Sequence, residues 1–178
     1  GAVKDAYVTY TADGHIEGWV ITMPEYVKKY QPGATVPLYF SAVLDRKPES
    51  YGSFHGNTQL ADAKESKGTG AGMYFTFSNE QQEAVTAKIG LSYTSVENAR
   101  INLQAEAEGK TFEDAKEQAH QIWQEYLGRI EVETSKREDK VKFYTGLYHA
   151  LLGRGLANDV NGAYPRNDGS VGQLPMKE

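Results

Sequence analysis

The sequence predicts an α+β fold: an antiparallel β-sandwich portion of about five to six strands, followed by helices. Two observations carry this reading. The first half of the chain holds short β-branched and aromatic runs between turn-forming residues, and after Thr94 apolar residues recur at three- and four-residue steps. A third, Asp13-Gly14 between two such runs, is a strong hairpin signal, read here as a tight turn with positive φ at both positions.

The expected strands are Ala6 to Thr11, Ile16 to Thr22, Val36 to Leu44, Met73 to Phe77 and Val85 to Thr94, with one short run from Tyr51 to Phe54. Met23 to Thr35 and the polar stretch from Arg46 to Gly72 read as loops, and loops of that length in a compact domain are often functional. Ser95 is placed to cap a helix that starts at Val96, carries Ala99, Ile101, Leu103 and Ala107, and stops at Gly109. Thr111 and Asp114 form a capping pattern for a second helix, whose apolar positions include Phe112, Ala115, Ala119, Ile122, Trp123 and Tyr126 and which Gly128 ends. A β-like run from Arg129 to Glu133 leads to a third helix, opened by Ser135 and Glu138 as a capping box and striped by Val141, Tyr144, Leu147, Tyr148, Leu151 and Leu152. From Gly155 onward Asn, Asp, Gly and Pro dominate and the chain reads as loop.

Composition removes several function classes. The chain has 178 residues, near the size of one domain, and 39% are hydrophobic, as expected of a folded globular protein. A formal charge of −5 and scattered Lys and Arg leave no basic stripe, so nucleic acid is not an expected partner. No apolar run approaches the length of a membrane span, and residues 1–5 do not resemble a signal peptide. The absence of cysteine excludes disulfide scaffolds, cysteine nucleophiles and thiolate zinc sites.

Two ordered blocks carry a family resemblance. The first is the gapless stretch from Lys88 to Leu103, through Tyr93-Thr94-Ser95-Val96-Glu97-Asn98-Ala99-Arg100, continuing to Ala105-Glu106. The second comprises Trp123, Leu127-Gly128-Arg129-Ile130-Glu131-Val132, Phe143-Tyr144-Thr145, Leu147-Tyr148-His149, Leu151-Leu152 and Asp159-Val160-Asn161-Gly162 with Tyr164. Together they resemble glycoside hydrolase family 92. A looser likeness extends upstream, in Ile16-Glu17-Gly18-Trp19, Val36-Pro37-Leu38-Tyr39-Phe40 and Gly70-Ala71-Gly72-Met73-Tyr74-Phe75.

The resemblance implies a two-domain, secreted bacterial enzyme, a β-sandwich packed on an (α/α) barrel of helical hairpins, which removes terminal α-linked mannose from glycans by inverting hydrolysis with help from Ca2+. On this basis residues 1–95 belong to the end of the β-sandwich, 96–134 form a helical linker, and 135–178 contribute the first helix of the barrel. The remainder of the catalytic domain becomes an expected partner, and the exposed stripe of the third helix also admits a homodimer. The resemblance places the acid and base beyond the position of Glu178, so no catalytic residue and no metal ligand is expected here, and this chain alone should be inactive. One departure stands out: Gly153-Arg154-Gly155 replaces the histidine and proline that many members carry after the Leu-Leu pair, which leaves linkage preference open.

Expected sugar contacts are Arg154, Asp159, Asn161 and Tyr164, on a polar loop that the family places near the barrel mouth, and His55, on a sandwich loop. A solvated Asx turn is the plainer reading of Asp159-Val160-Asn161-Gly162, and an ordinary surface loop that of His55. The same stretch lacks the alternating ligands and terminal Glu of a calcium loop. Trp19 and Trp123 read as core, and His149 as a structural histidine. Gly68-Thr69-Gly70-Ala71-Gly72 leads into a strand and so lacks the helix terminus of a phosphate cradle. The rival function is a non-catalytic carbohydrate-binding or interaction module, since fold alone does not decide activity.

Overall fold

The structure, a computed structural model, describes residues 2–78, 83–153 and 155–175. They divide into two compact units, residues 1–108 with 157–178, and residues 109–156.

The first unit is built on a five-stranded antiparallel sheet. Its strands are β1 (Ala2–Tyr10), β2 (Ile16–Met23), β3 (Val36–Leu44), β6 (Glu65–Lys67) and β8 (Ala87–Ser92), in the order β6-β1-β2-β3-β8. A three-stranded antiparallel sheet, β5-β4-β7, comprises β4 (Ser50–His55), β5 (Thr58–Ala61) and β7 (Ala71–Thr76). The two sheets meet where Tyr10 of β1 sets its ring edge-on to Tyr51 and Phe75, at centroid distances of 5.0 and 5.2 Å. Tyr51 and Phe75 are register partners and share a face, so this cluster marks the sandwich interface. The smaller sheet packs on β1 and β6. On the same face of β8, Ile89 and Leu91 stay 59% and 53% exposed, so the sandwich is closed over one end of the large sheet and open over the other.

Helix α2 (Val96–Ala107) covers the opposite face, over β8 and β3. The row Glu17, Ser41 and Gly90, side by side in register, faces it. Gly90 permits the close approach, because a Cβ there would stand 2.2 Å from the Ala99 carbonyl oxygen. Ala99 and Leu103 of α2 are buried against the sheet.

The second unit pairs α3 (Phe112–Gly128) with α4 (Arg137–Leu152). Trp123 meets Tyr148 at 4.6 Å between ring centroids, and the Tyr144 hydroxyl donates to the Ile130 carbonyl at 2.9 Å. Neither helix buries a residue fully, and Ile122, Tyr126, Val141 and Leu152 are exposed along the apolar stripes. His149 is exposed beside Tyr148.

The expected strands and all three helices are present, and several local expectations are corrected. The polar stretch from Arg46 to Gly72, read as loop around one short run, also contains β5 and β6. The loop after β2 contains a short helix, α1 (Glu25–Tyr30), whose first turn closes when the Lys28 amide donates to the Pro24 carbonyl. At the first hairpin only Gly14 has positive φ, +86°, and a three-residue loop is closed by the Thr11 amide donating to the His15 carbonyl and the His15 amide to the Thr11 hydroxyl. This is a turn with one left-handed glycine rather than a two-residue turn. Residues 129–133 form no strand, and α4 is capped at Lys136 without a side-chain bond, so the Ser135 capping box does not form. Finally, the terminal stretch read as loop contains a hairpin of β9 (Ala163–Pro165) and β10 (Val171–Gln173).

Candidate functional site

The junction between β8 and α2 gathers three buried polar residues, Ser92, Asn102 and Asp159. The strand ends at Ser92, and the Ser95 side chain caps α2 by accepting from the Asn98 amide at 3.0 Å. Against this corner lies a turn from the far end of the chain. The Asp159 amide donates to the Ala163 carbonyl and the Gly162 amide to the Asp159 carbonyl, both at 2.8 Å. Gly162 adopts a φ of +84°, and the Asn161 side chain accepts from the Ala163 amide at 3.1 Å.

This turn aims the Asp159 carboxylate inward, where the residue is only 3% exposed. Ser92 Oγ donates to Oδ2 at 3.0 Å, Thr94 Oγ1 donates to the same oxygen, and Asn102 Nδ2 donates to Oδ1 at 2.7 Å. A carboxylate withdrawn from water is costly unless donors replace its hydration, and these three do so. Asn102 is fully used: its amide nitrogen also donates to the Leu91 carbonyl at 2.8 Å, and its oxygen accepts from the Val160 amide at 2.9 Å. Beside it, Asn161 Nδ2 donates to Asn98 Oδ1 at 2.9 Å and Asn98 Nδ2 to Thr94 Oγ1 at 2.7 Å.

A second polar group ties the first hairpin to α2. Arg100 donates to Glu17 through Nε and to Asp13 through a terminal nitrogen, each at 2.7 Å, and Ser41 also donates to Glu17 at 2.8 Å. The bond from Thr11, then that from Arg100, hold the Asp13 carboxyl well below the usual carboxylate range. Burial opposes ionisation of Glu17, but the bonds from Arg100 and Ser41 outweigh it and keep that carboxyl low as well. Glu17, then Asp13, push the guanidinium up, so the triad is ionised at neutral pH. Two further carboxyls move down, Asp45 through the Thr86 amide and Asp168 through the Ser170 hydroxyl. A proton donor for glycosidic cleavage needs the opposite displacement, and these four carboxyls are tuned away from it.

The structure brings Asp159 and Asn161 together at the junction and sets Tyr164 directly after the turn, on β9. The Tyr164 ring lies over Gly172, whose Cβ would stand 2.3 Å from it, with the Arg166 guanidinium 6.0 Å from its centroid. His55 sits elsewhere, exposed at the end of β4, its ring beside the Gly68 backbone. Arg154 lies outside the described residues. Ser92, Thr94, Asn98, Arg100 and Asn102 were not among the expected site residues. Their signal was there: Asn98 and Asn102 stand four apart on the helical face that also carries Ala99 and Leu103, where plain amphipathicity would put apolar residues.

The comparisons with known proteins agree with this architecture. The family model described as the glycosyl hydrolase family 92 N-terminal domain matches residues 1–92, and that of the glycosyl hydrolase family 92 catalytic domain matches residues 98–177. The chain belongs to glycosyl hydrolase family 92. Among solved structures it is similar to the family GH92 alpha-mannosidase BT3965 from Bacteroides thetaiotaomicron, with a TM-score of 0.82 and 23% identity over 98% of this chain and 23% of that one. The gh92 family glycosyl hydrolase ccman5 gives a TM-score of 0.80 and 25% identity, covering 96% of this chain and 22% of that one. The GH92 inverting mannosidase BT2199 from Bacteroides thetaiotaomicron VPI-5482 gives 0.79 and 22%, with coverage of 96% and 23%. The chain thus spans less than a quarter of the length of these structures. No curated protein matches it.

Proposed function

We propose that this chain is part of a secreted bacterial exo-acting α-mannosidase that releases terminal α-linked mannose from glycans with inversion. The observation that carries the reading is the match of both family 92 models, in order, to one chain whose fold follows solved GH92 enzymes described as mannosidases.

Inverting hydrolysis requires one carboxylic acid that protonates the departing oxygen and one carboxylate that activates water on the opposite face of the sugar. Asp13 and Glu17 are held ionised by Arg100, and Asp159 is saturated from within, so none of the three suits the acid role. The family resemblance places the acid and base in the remainder of the catalytic domain, and on this reading the chain by itself is inactive. Ca2+ is assigned to that remainder too, as the family resemblance implies. This chain's part is to supply the sandwich, the junction and a surface for the sugar. Asn161 and Tyr164, with Arg154, are proposed to contact the glycan from the loop after α4, and His55 from the sandwich.

The test is release of free mannose from an aryl α-mannoside by the complete polypeptide, with the anomer followed by NMR. Initial formation of β-mannose, loss of activity with a calcium chelator and no turnover by residues 1–178 alone are the expected results. Glycan binding without any turnover by the complete polypeptide would instead favour a carbohydrate-binding module.

A further inference from the structure

We infer that Asp159 acts from inside the protein as a positioning residue. Through Asn102 and the hydroxyls of Ser92 and Thr94 it locks the 159–163 turn, and with it Asn161 and Tyr164, onto the junction of the family's two domains. The proposal rests on the mannosidase reading for the purpose of the lock, and on the geometry alone for its existence.

Asp159 faces the interior, with both carboxylate oxygens already occupied. A sugar hydroxyl would have to displace Ser92, Thr94 or Asn102 and expose the pocket they fill. The partners sit 57 to 67 positions away in sequence, so the carboxylate joins segments that no local element would bring together. They also straddle the domain boundary. Ser92 is the last residue matched by the N-terminal domain model, and Asn102 lies within the catalytic domain match, which starts at Asn98. Asn98 and Asn161 add a second amide link across the same corner. The turn carries Asn161 directly and leads within two residues into β9, so a shift of Asp159 moves both proposed sugar contacts.

The network has a polarity that can be reversed. The Ser92 and Thr94 hydroxyls can each donate or accept, whereas the Asn102 nitrogen only donates. Asn102→Asp sets two carboxylates against each other where a 2.7 Å bond now stands. Adding Asp159→Asn returns the site to a single charge with the donor on the other side, although the Leu91 carbonyl then faces a carboxylate oxygen in place of its amide donor.

In the complete enzyme, well below its melting temperature, Asn102→Asp should raise KM for a terminal α-mannoside about tenfold and change kcat less than about threefold. The double variant should return KM to within about threefold of wild type, the coupling expected of residues in one network. An unchanged KM with only a lowered melting temperature would make the cluster purely structural and overturn the proposal. So would a large KM increase in Asp159→Asn that the double variant does not rescue, which is the pattern of direct sugar contact. If Asn102→Asp does not fold, recovery of folded enzyme in the double variant supports the lock, and failure to recover it overturns the lock. If the wild-type polypeptide releases no mannose, the mannosidase reading fails separately, and amide exchange across residues 157–164 decides. Faster exchange in Asn102→Asp that the double variant reverses sustains the lock, and unchanged exchange ends it.

Discussion

Gly90 on β8 lies directly beneath Leu103 on α2, and a Cβ at position 90 would stand 2.6 Å from the Leu103 amide nitrogen. The obstacle is backbone, joined by the Ala99 carbonyl, so no rotamer change relieves it. Gly90→Ala should cost about 3 kcal/mol, measured by denaturant unfolding. A loss below about 0.5 kcal/mol, the range of inert surface changes, would mean that the helix sits farther from the sheet.

The triad of Arg100, Asp13 and Glu17 predicts an acid-sensitive link between the first hairpin and α2. Both carboxyls have folded-state pKa values below their unfolded ones. Their contribution is therefore complete above the ordinary carboxylate range, near pH 4 to 5, and is lost as pH falls through the depressed values. Arg100→Gln should remove about 1 to 2 kcal/mol at pH 7, between surface and buried charge pairs, since the Arg100 and Glu17 side chains are 29% and 12% exposed. The difference between wild type and variant should narrow steadily as pH falls below the ordinary carboxylate range. A constant difference across that range would exclude the ionic link as its cause.

Thr111 and Asp114 cap α3 reciprocally: the Asp114 amide donates to Thr111 Oγ1 at 3.1 Å, and the Thr111 amide to the Asp114 carboxylate at 2.8 Å. Thr111→Ala should cost about 1 kcal/mol, with faster amide exchange confined to the first turn of α3. Equal exchange in both proteins would show that the cap contributes nothing.

Tyr164 owes its position to the missing side chain at Gly172, whose Cβ would enter the ring. Because the obstruction is the far end of a side chain, Gly172→Ala should cost only about 1 kcal/mol while swinging Tyr164 away from β10. The measurement is the set of Tyr164 ring proton shifts by NMR. Ring shifts identical to wild type would refute the contact.

Much of this was legible in the residues. Alternating and β-branched runs located the strands of the large sheet, and three- and four-residue spacing located α2, α3 and α4. The Ser95 and Thr111 caps act within a single turn, so four residues suffice to see them. The Ser135 box failed because the pattern tolerates the motif one position too early: the Lys136 amide bonds instead to the Thr134 hydroxyl and α4 begins at Arg137. β5, β6, β9 and β10 escaped because strands of three or four residues are too short to carry a period, and their pairing partners define them.

By itself the sequence determined the order of sheet and helix, the caps of α2 and α3 and the family, all of which depend on neighbours within a few positions or on long contiguous blocks. The tertiary structure alone decided that Asp159 points inward, that Arg100 reaches Asp13 and Glu17, and that the sandwich is open over β8. Those outcomes depend on contacts between segments many tens of residues apart. A carboxylate reads the same in one dimension whether it faces water or Ser92, Thr94 and Asn102, and only the fold supplies the donors that make its burial tolerable.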